Sequence, residues 1–102
     1  MTRRYVITTP ANRDLEEILR NIAEFSGFDQ SDRFLTRFSE KLSNIVAFPN
    51  LGKPRPSWGA NYRTILLDDY LIVYRSTEEL VEILRLVSGR RNLDALFNHP
   101  DE

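Results

Sequence analysis

The chain predicts a small α+β domain: a twisted sheet with an antiparallel helical hairpin packed on one face. Three observations predict it. Residues 62–88 read YRTILL, DDY, LIVYRS, TEE, LVEILRLVS, runs rich in Ile, Leu, Val and Tyr broken only at Asp68-Asp69 and Thr77-Glu78-Glu79, as in a three-stranded meander. Two longer segments before it space their apolar residues by three and four. A short β-branched and aromatic run comes first. The expected order is β-α-α-β-β-β-α.

Residues 4–8 (RYVIT) form the first strand. It cannot reach the meander by a hairpin, so it crosses over through the helical pair and can join a strand in parallel. Thr9 is placed to cap a helix whose first residue is Pro10, where a missing N–H costs nothing, and Asp14, Glu16 and Glu17 bring charge to its early turns. Leu15, Ile18, Leu19, Ile22 and Phe25 or Ser26 make its apolar stripe, and Gly27 ends it. A second helix starts near Asp29, with Asp32 three residues on as in a capping box, and runs to about Ala47. Its stripe is Phe34, Leu35, Phe38, Leu42, Ile45 and Val46. So short a link makes the pair an antiparallel hairpin, which buries its stripes on the apolar face of the sheet.

Residues 48–59 (FPNLGKPRPSWG) hold three prolines and two glycines, which argue against regular structure, yet they also carry Lys53, Arg55 and Trp58. That is the composition of a stiff loop with something to present. In the meander, a two-residue turn at Asp68-Asp69 sets Leu67 opposite Tyr70, Ile65 opposite Ile72 and Arg63 opposite Tyr74. The second turn is expected to set Tyr74 opposite Val81 and Ile72 opposite Ile83. One face then reads Ile65, Leu67, Tyr70, Ile72, Tyr74, Val81, Ile83 and Val87, with Arg63 and Arg85 at its edges, and is taken as the core. The other reads Leu66, Leu71, Val73, Leu84 and Leu86, diluted by Tyr62, Thr64, Arg75 and Glu82. Gly89 breaks the last strand. Arg90 and Arg91 lead into a short amphipathic segment with Leu93, Leu96 and Phe97, closing a single domain over 1–98 with a tail at 99–102.

At 102 residues and 41% apolar, the chain has material for one core and not two. Its 14 basic and 15 acidic residues nearly cancel, against a protein that coats nucleic acid. No cysteine is present, which removes disulfides, thiolate catalysis and cysteine metal sites. No stretch has the length of a membrane span or a signal peptide, so a cytoplasmic location is expected.

His99, the single histidine, stands beside Pro100 in the tail without converging partners, and reads as incidental rather than as a base or ligand. Asp68-Asp69 reads as a solvated turn, because adjacent side chains diverge and nothing completes a coordination shell. No phosphate loop, Ser-His-Asp set or zinc spacing occurs. No metal or cofactor is expected. The arginines Arg63, Arg75, Arg85, Arg90 and Arg91 could hold phosphate or stabilise developing charge. The plainer reading places Arg63 and Arg85 over Tyr74 and Tyr70 as edge residues, and leaves Arg90-Arg91 open to either role. Trp58 either seals the edge of the core or anchors a partner, and the seal is favoured. Leu66, Leu71, Val73, Leu84 and Leu86 are more apolar surface than the C-terminal segment can cover, which marks a protein partner.

Three stretches, FPNLGKPRP, YLIVYR and VEILRLVSGRRNLDALF, together with the order of elements, resemble the RelE/ParE superfamily of small bacterial toxins, and within it the ParE branch. The resemblance spans nearly the whole chain. It implies a toxin encoded beside an antitoxin, here ParD-like, a small DNA-binding protein whose C-terminal segment wraps the toxin. It makes the five leucine and valine positions above antitoxin-binding candidates. RelE-like members are ribosome-dependent endoribonucleases with basic residues on the open face and a C-terminal Tyr or His. Here Thr64, Leu66 and Leu71 occupy the open face, Ser88 stands where many relatives have His, and Phe97 where a catalytic Tyr belongs. Of that basic set only Arg90 and Arg91 survive. Attack by a 2′-hydroxyl needs a base, a charge stabiliser and a leaving-group acid, and only the second is evident. ParE-like members inhibit DNA gyrase by binding. The resemblance therefore implies a gyrase inhibitor with Arg90, Arg91, Phe97, Trp58, Arg63 and Arg75 as target-binding candidates. An RNA-cleaving toxin or an inactive member is the alternative.

Overall fold

The computed structural model describes residues 4–89. They form β1 (Arg4–Ile7), α1 (Thr9–Ser26), α2 (Phe28–Ala47), a 3-10 turn (Pro49–Leu51), β2 (Lys53–Pro54), β3 (Tyr62–Leu67), β4 (Tyr70–Ser76) and β5 (Leu80–Ser88). The strands make one mixed sheet in the order β1-β5-β4-β3-β2, with β1 parallel to β5 and the remaining pairs antiparallel. The α+β class and the helical hairpin on one face are as the sequence predicts. The expected segment with Leu93, Leu96 and Phe97 lies outside the described residues.

Thr8, rather than Thr9, caps α1: its Oγ1 accepts from the Ala11 N–H at 3.3 Å. α1 buries Ala11, Leu15 and Ile18, with Leu19 and Ile22 packed alongside. Gly27 alone joins the helices, at φ 96° and ψ 164°, a conformation open in practice only to glycine. The Ser31 hydroxyl donates to the Leu19 carbonyl at 2.9 Å and ties the two helices together. α2 buries Phe34, Phe38, Leu42, Ile45 and Val46, whereas Leu35 is part-exposed at the edge of the stripe. Against these the sheet sets Leu67, Ile72, Tyr74, Val81, Ile83 and Leu86, all buried. Phe34 meets Tyr70 edge-on with ring centroids 5.7 Å apart.

The first hairpin has the expected register, Leu67 opposite Tyr70, Ile65 opposite Ile72 and Arg63 opposite Tyr74. Asp68 accommodates the tight turn at φ 55° and accepts from Arg37 of α2 at 2.7 Å. The second hairpin differs twice. Thr77 N–H donates to the Leu80 carbonyl at 2.8 Å, so the turn takes only Glu78 and Glu79, and Tyr74 faces Ile83 instead of Val81. A slip of two residues keeps each side chain on its face. A bulge then places Arg85 opposite Val73, leaving Leu84 as the extra residue of β5, and Ile72 pairs with Leu86 instead of Ile83. The bulge exchanges the last two apolar residues: Leu86 packs under the helices, and Val87 goes to the open face.

The disturbed backbone is satisfied from the start of α1. The Thr8 hydroxyl lies 3.0 and 3.1 Å from the carbonyl oxygens of Ile83 and Leu84. Asp14 accepts from the Leu86 N–H at 3.0 Å and from Arg85 Nε at 2.7 Å, which raises the guanidinium pKa above its ordinary value. Arg85 therefore pairs with Asp14 and not with the Tyr70 ring.

The proline-rich loop is more regular than expected, because β2 pairs at the sheet edge, where Pro54 forfeits no ladder bond. Tyr74, fully buried, organises it. Its hydroxyl accepts from the Gly52 N–H and donates to the Pro49 carbonyl, each at 2.8 Å. A Cβ at position 52 would stand 2.7 Å from both the Thr64 carbonyl oxygen and that hydroxyl, which explains the glycine in FPNLGKPRP. Burial pushes the Tyr74 pKa up, while the Gly52 hydrogen bond and the Arg63 charge pull it down.

Asp14→Ala should cost about 2–3 kcal/mol, since it strands a charged guanidinium and a bulge N–H, and Asp14→Asn should cost less; urea unfolding measures both. Tyr74→Phe should cost about 1–3 kcal/mol at neutral pH. Because the folded Tyr74 pKa is raised, its contribution is constant below about pH 10 and is lost as pH rises through the folded value. Tyr74→Phe should remove this part of the alkaline loss of stability in melts taken from pH 9 upward.

Candidate functional site

Helices cover one side of the sheet, and strand alternation sets the other: Tyr62, Thr64 and Leu66 on β3, Leu71, Val73 and Arg75 on β4, and Glu82, Leu84 and Val87 on β5. This open face has an apolar zone and a polar zone. In the apolar zone Leu71, Val73 and Val87 are buried beneath Trp58 and Leu84, while Leu66 is 61% exposed.

Trp58 reaches that zone because the loop doubles back. Arg55 N–H donates to the Tyr62 carbonyl at 2.9 Å, and Trp58 N–H to the Arg55 carbonyl at 3.0 Å. Within this turn the Arg55 guanidinium sits 5.0 Å from the Trp58 ring centroid and donates from Nε to Thr64 Oγ1 at 3.1 Å. Trp58 thus packs on the cluster of Leu71, Val73 and Val87, with a cation on its ring. In the polar zone Arg75 donates to Glu82 at 2.6 and 3.0 Å and lies 5.6 Å from the Tyr62 ring centroid. Hydrogen bonding and charge attraction from Glu82 raise the Arg75 pKa.

Of the target-binding candidates, the structure brings Trp58 and Arg75 to this face. Arg63 is on the helix side, where Nη1 donates to the Gly52 carbonyl at 2.7 Å and to the Asn50 carbonyl at 3.3 Å; it steadies the loop and does not lie over Tyr74. Arg90, Arg91 and Phe97 lie outside the described residues. Of the antitoxin-binding candidates, Leu66, Leu71, Val73 and Leu84 share the open face, with only Leu66 largely exposed. Leu86 does not: the bulge turns it into the helix-side core at 3% exposure, and Val87 takes its place. Arg55 was missed as a site residue, although its position three residues before Trp58 in a proline-bracketed turn was the available signal.

Leucines, an arginine-backed tryptophan and paired charges give this face the means to dock a chain. Among the described residues no three His, Cys, Asp or Glu side chains converge as metal ligands. None of the described helices is long and apolar enough to cross a membrane.

Comparison with known proteins agrees with this architecture. The family model described as the ParE toxin of type II toxin–antitoxin systems, parDE, matches residues 5–93. Toxin ParE3 of Caulobacter vibrioides is 33% identical over 92 residues, covering 90% of this chain and 92% of its own length. A solved chain from the chromosomal ParDE system of P. aeruginosa superposes with a TM-score of 0.71 at 22% identity, covering 84% of this chain and 95% of that one. A chain from the RelBE2 toxin–antitoxin complex of Mycobacterium tuberculosis does so with a TM-score of 0.57 at 23% identity, covering 86% and 99%. At such identities the solved structures speak to the fold.

Trp58→Ala should strip cover from the cluster of Leu71, Val73 and Val87 and cost about 1–3 kcal/mol. Leu66→Asp, at an exposed position, should stay within about 0.5 kcal/mol of wild type. Denaturant midpoints of the two variants check the contrast.

Proposed function

Because this chain belongs to the ParE family of toxins of type II toxin–antitoxin systems, we propose that it harms by binding: it inhibits DNA gyrase and blocks replication, and a ParD-like antitoxin neutralises it by covering the open face of the sheet. One observation carries the reading. Where an RNA-cleaving toxin would present a cluster of free cations and an acid–base pair, this face presents Leu66, Leu84 and Trp58, its arginines Arg55 and Arg75 are engaged by Thr64, Trp58, Glu82 and Tyr62, and Lys53 stands at its β2 edge. Recognition by occupation needs shape and apolar surface rather than a reactive group.

The antitoxin segment that fits is amphipathic and acidic. Its apolar side would meet Leu66 and the flank of Trp58, and its carboxylates would meet Lys53 and Arg55 along the β2 edge of the same face. Leu66→Asp should weaken that complex at least tenfold without unfolding the toxin, because it sets a charge in the docking strip. Titration of the purified variant with the product of the adjoining small reading frame measures it, and wild-type affinity would remove the open face from the interface.

A second reading, a ribosome-dependent endoribonuclease, draws on the likeness to the RelBE2 chain. Purified gyrase separates the two. Loss of supercoiling with cleaved DNA is the expected result, and cut message in a translating extract is the opposing one. Arg90→Ala with Arg91→Ala should weaken growth arrest, with a melting curve equal to wild type as the control for the fold.

A further inference from the structure

The most exposed large apolar side chains of the helices lie past the end of the packed core. Phe25 and Phe28 are 83% and 80% exposed, on either side of Gly27 at the hairpin tip. Helical spacing puts Phe25 on the stripe of α1, three residues past Ile22. The packed part of α1 nonetheless ends at Ile22, and that of α2 begins at Ser31. The last turn of one helix and the first turn of the next therefore project beyond the core. Two rings so exposed place on the order of 300 Å² of aromatic surface in water at one end of the molecule. In total area that reaches the lower end of the largest apolar patch of a typical monomer, a size that often marks function. The single glycine link holds the rings on rigid helices rather than on a long loop.

Charge narrows the occupant. Nearest the rings stand Glu24, Asp29 and Asp32, and the closest basic residues, Arg20 and Arg33, lie one turn further in on each helix. Asp29 suits the positive end of α2, but Glu24 stands near the C-terminal end of α1, where the helix dipole disfavours a carboxylate. Like charge opposes tip-to-tip pairing of two copies, and it opposes nucleic acid.

We propose that the hairpin tip, Phe25 and Phe28 rimmed by Glu24 and Asp29, docks into an apolar cleft lined by basic side chains on the protein this toxin acts upon, at a site separate from the antitoxin face. The inference rests on the reading of the chain as a toxin that acts by binding. Its test is growth arrest on induction without antitoxin, scored as colony counts for wild type, for Phe25→Ser with Phe28→Ser, and for Glu24→Lys with Asp29→Lys. Melting curves establish that each variant folds. Both double variants should restore survival at least a hundredfold while melting as wild type does. Arrest as complete as wild type by the phenylalanine variant would overturn the tip as a docking element, and rescue by that variant alone would overturn the basic lining. A wild-type chain that leaves growth untouched would overturn the inference together with the toxin reading. Arrest without inhibition of purified gyrase would sink only the choice of target, because the same plates still judge the tip.

Discussion

One extra residue in β5 decides what this molecule hides and what it shows. The bulge beyond Ile83 breaks the alternation of the longest strand, and it persists because the start of α1 supplies its missing partners: the Thr8 hydroxyl at the Ile83 and Leu84 carbonyls, and Asp14 at the Leu86 N–H and Arg85. Without that compensation a buried bulge would leave polar groups unpaired in the core. With it, Leu86 joins the helix-side core and Val87 completes the cluster beneath Trp58. The same few hydrogen bonds therefore fix helix position, sheet register and the composition of the open face.

A second tie sets the proline-rich loop. Tyr74 is a central-strand residue whose ring is core and whose hydroxyl is the anchor for Gly52 and Pro49. Arg63 grips the same turn through two carbonyls. Anchored at its base, the loop can fold back and lay Trp58 on the sheet. A residue deep under the helices thus governs what stands on the opposite side.

Much of this was legible in the chain. The helical stripes, the glycine between the helices and the register of the first hairpin follow from periodicity and from a two-residue turn. The second hairpin resisted because Thr77 reads as turn chemistry yet donates to Leu80 as a strand residue would. The bulge was illegible for a deeper reason. LVEILRLVS contains enough apolar residues to satisfy either face, so composition cannot say where alternation is broken; that is decided by Thr8 and Asp14, some seventy residues away. The exposure of Phe25 was hidden for a similar reason, since a stripe tells which side of a helix is apolar but not how far its neighbour extends.

The parallel pairing of β1 with β5 has a consequence for the making of the protein. β5 contributes Val81 and Ile83 to the centre of the core and, among the described residues, is the one neighbour of β1, yet it is translated only after both helices and the strands between. A nascent chain lacking it has helices with no complete sheet to cover, and contacts so distant along the polypeptide form slowly. Synthesis and folding are thereby separated in time: the core cannot close before β5 clears the ribosome.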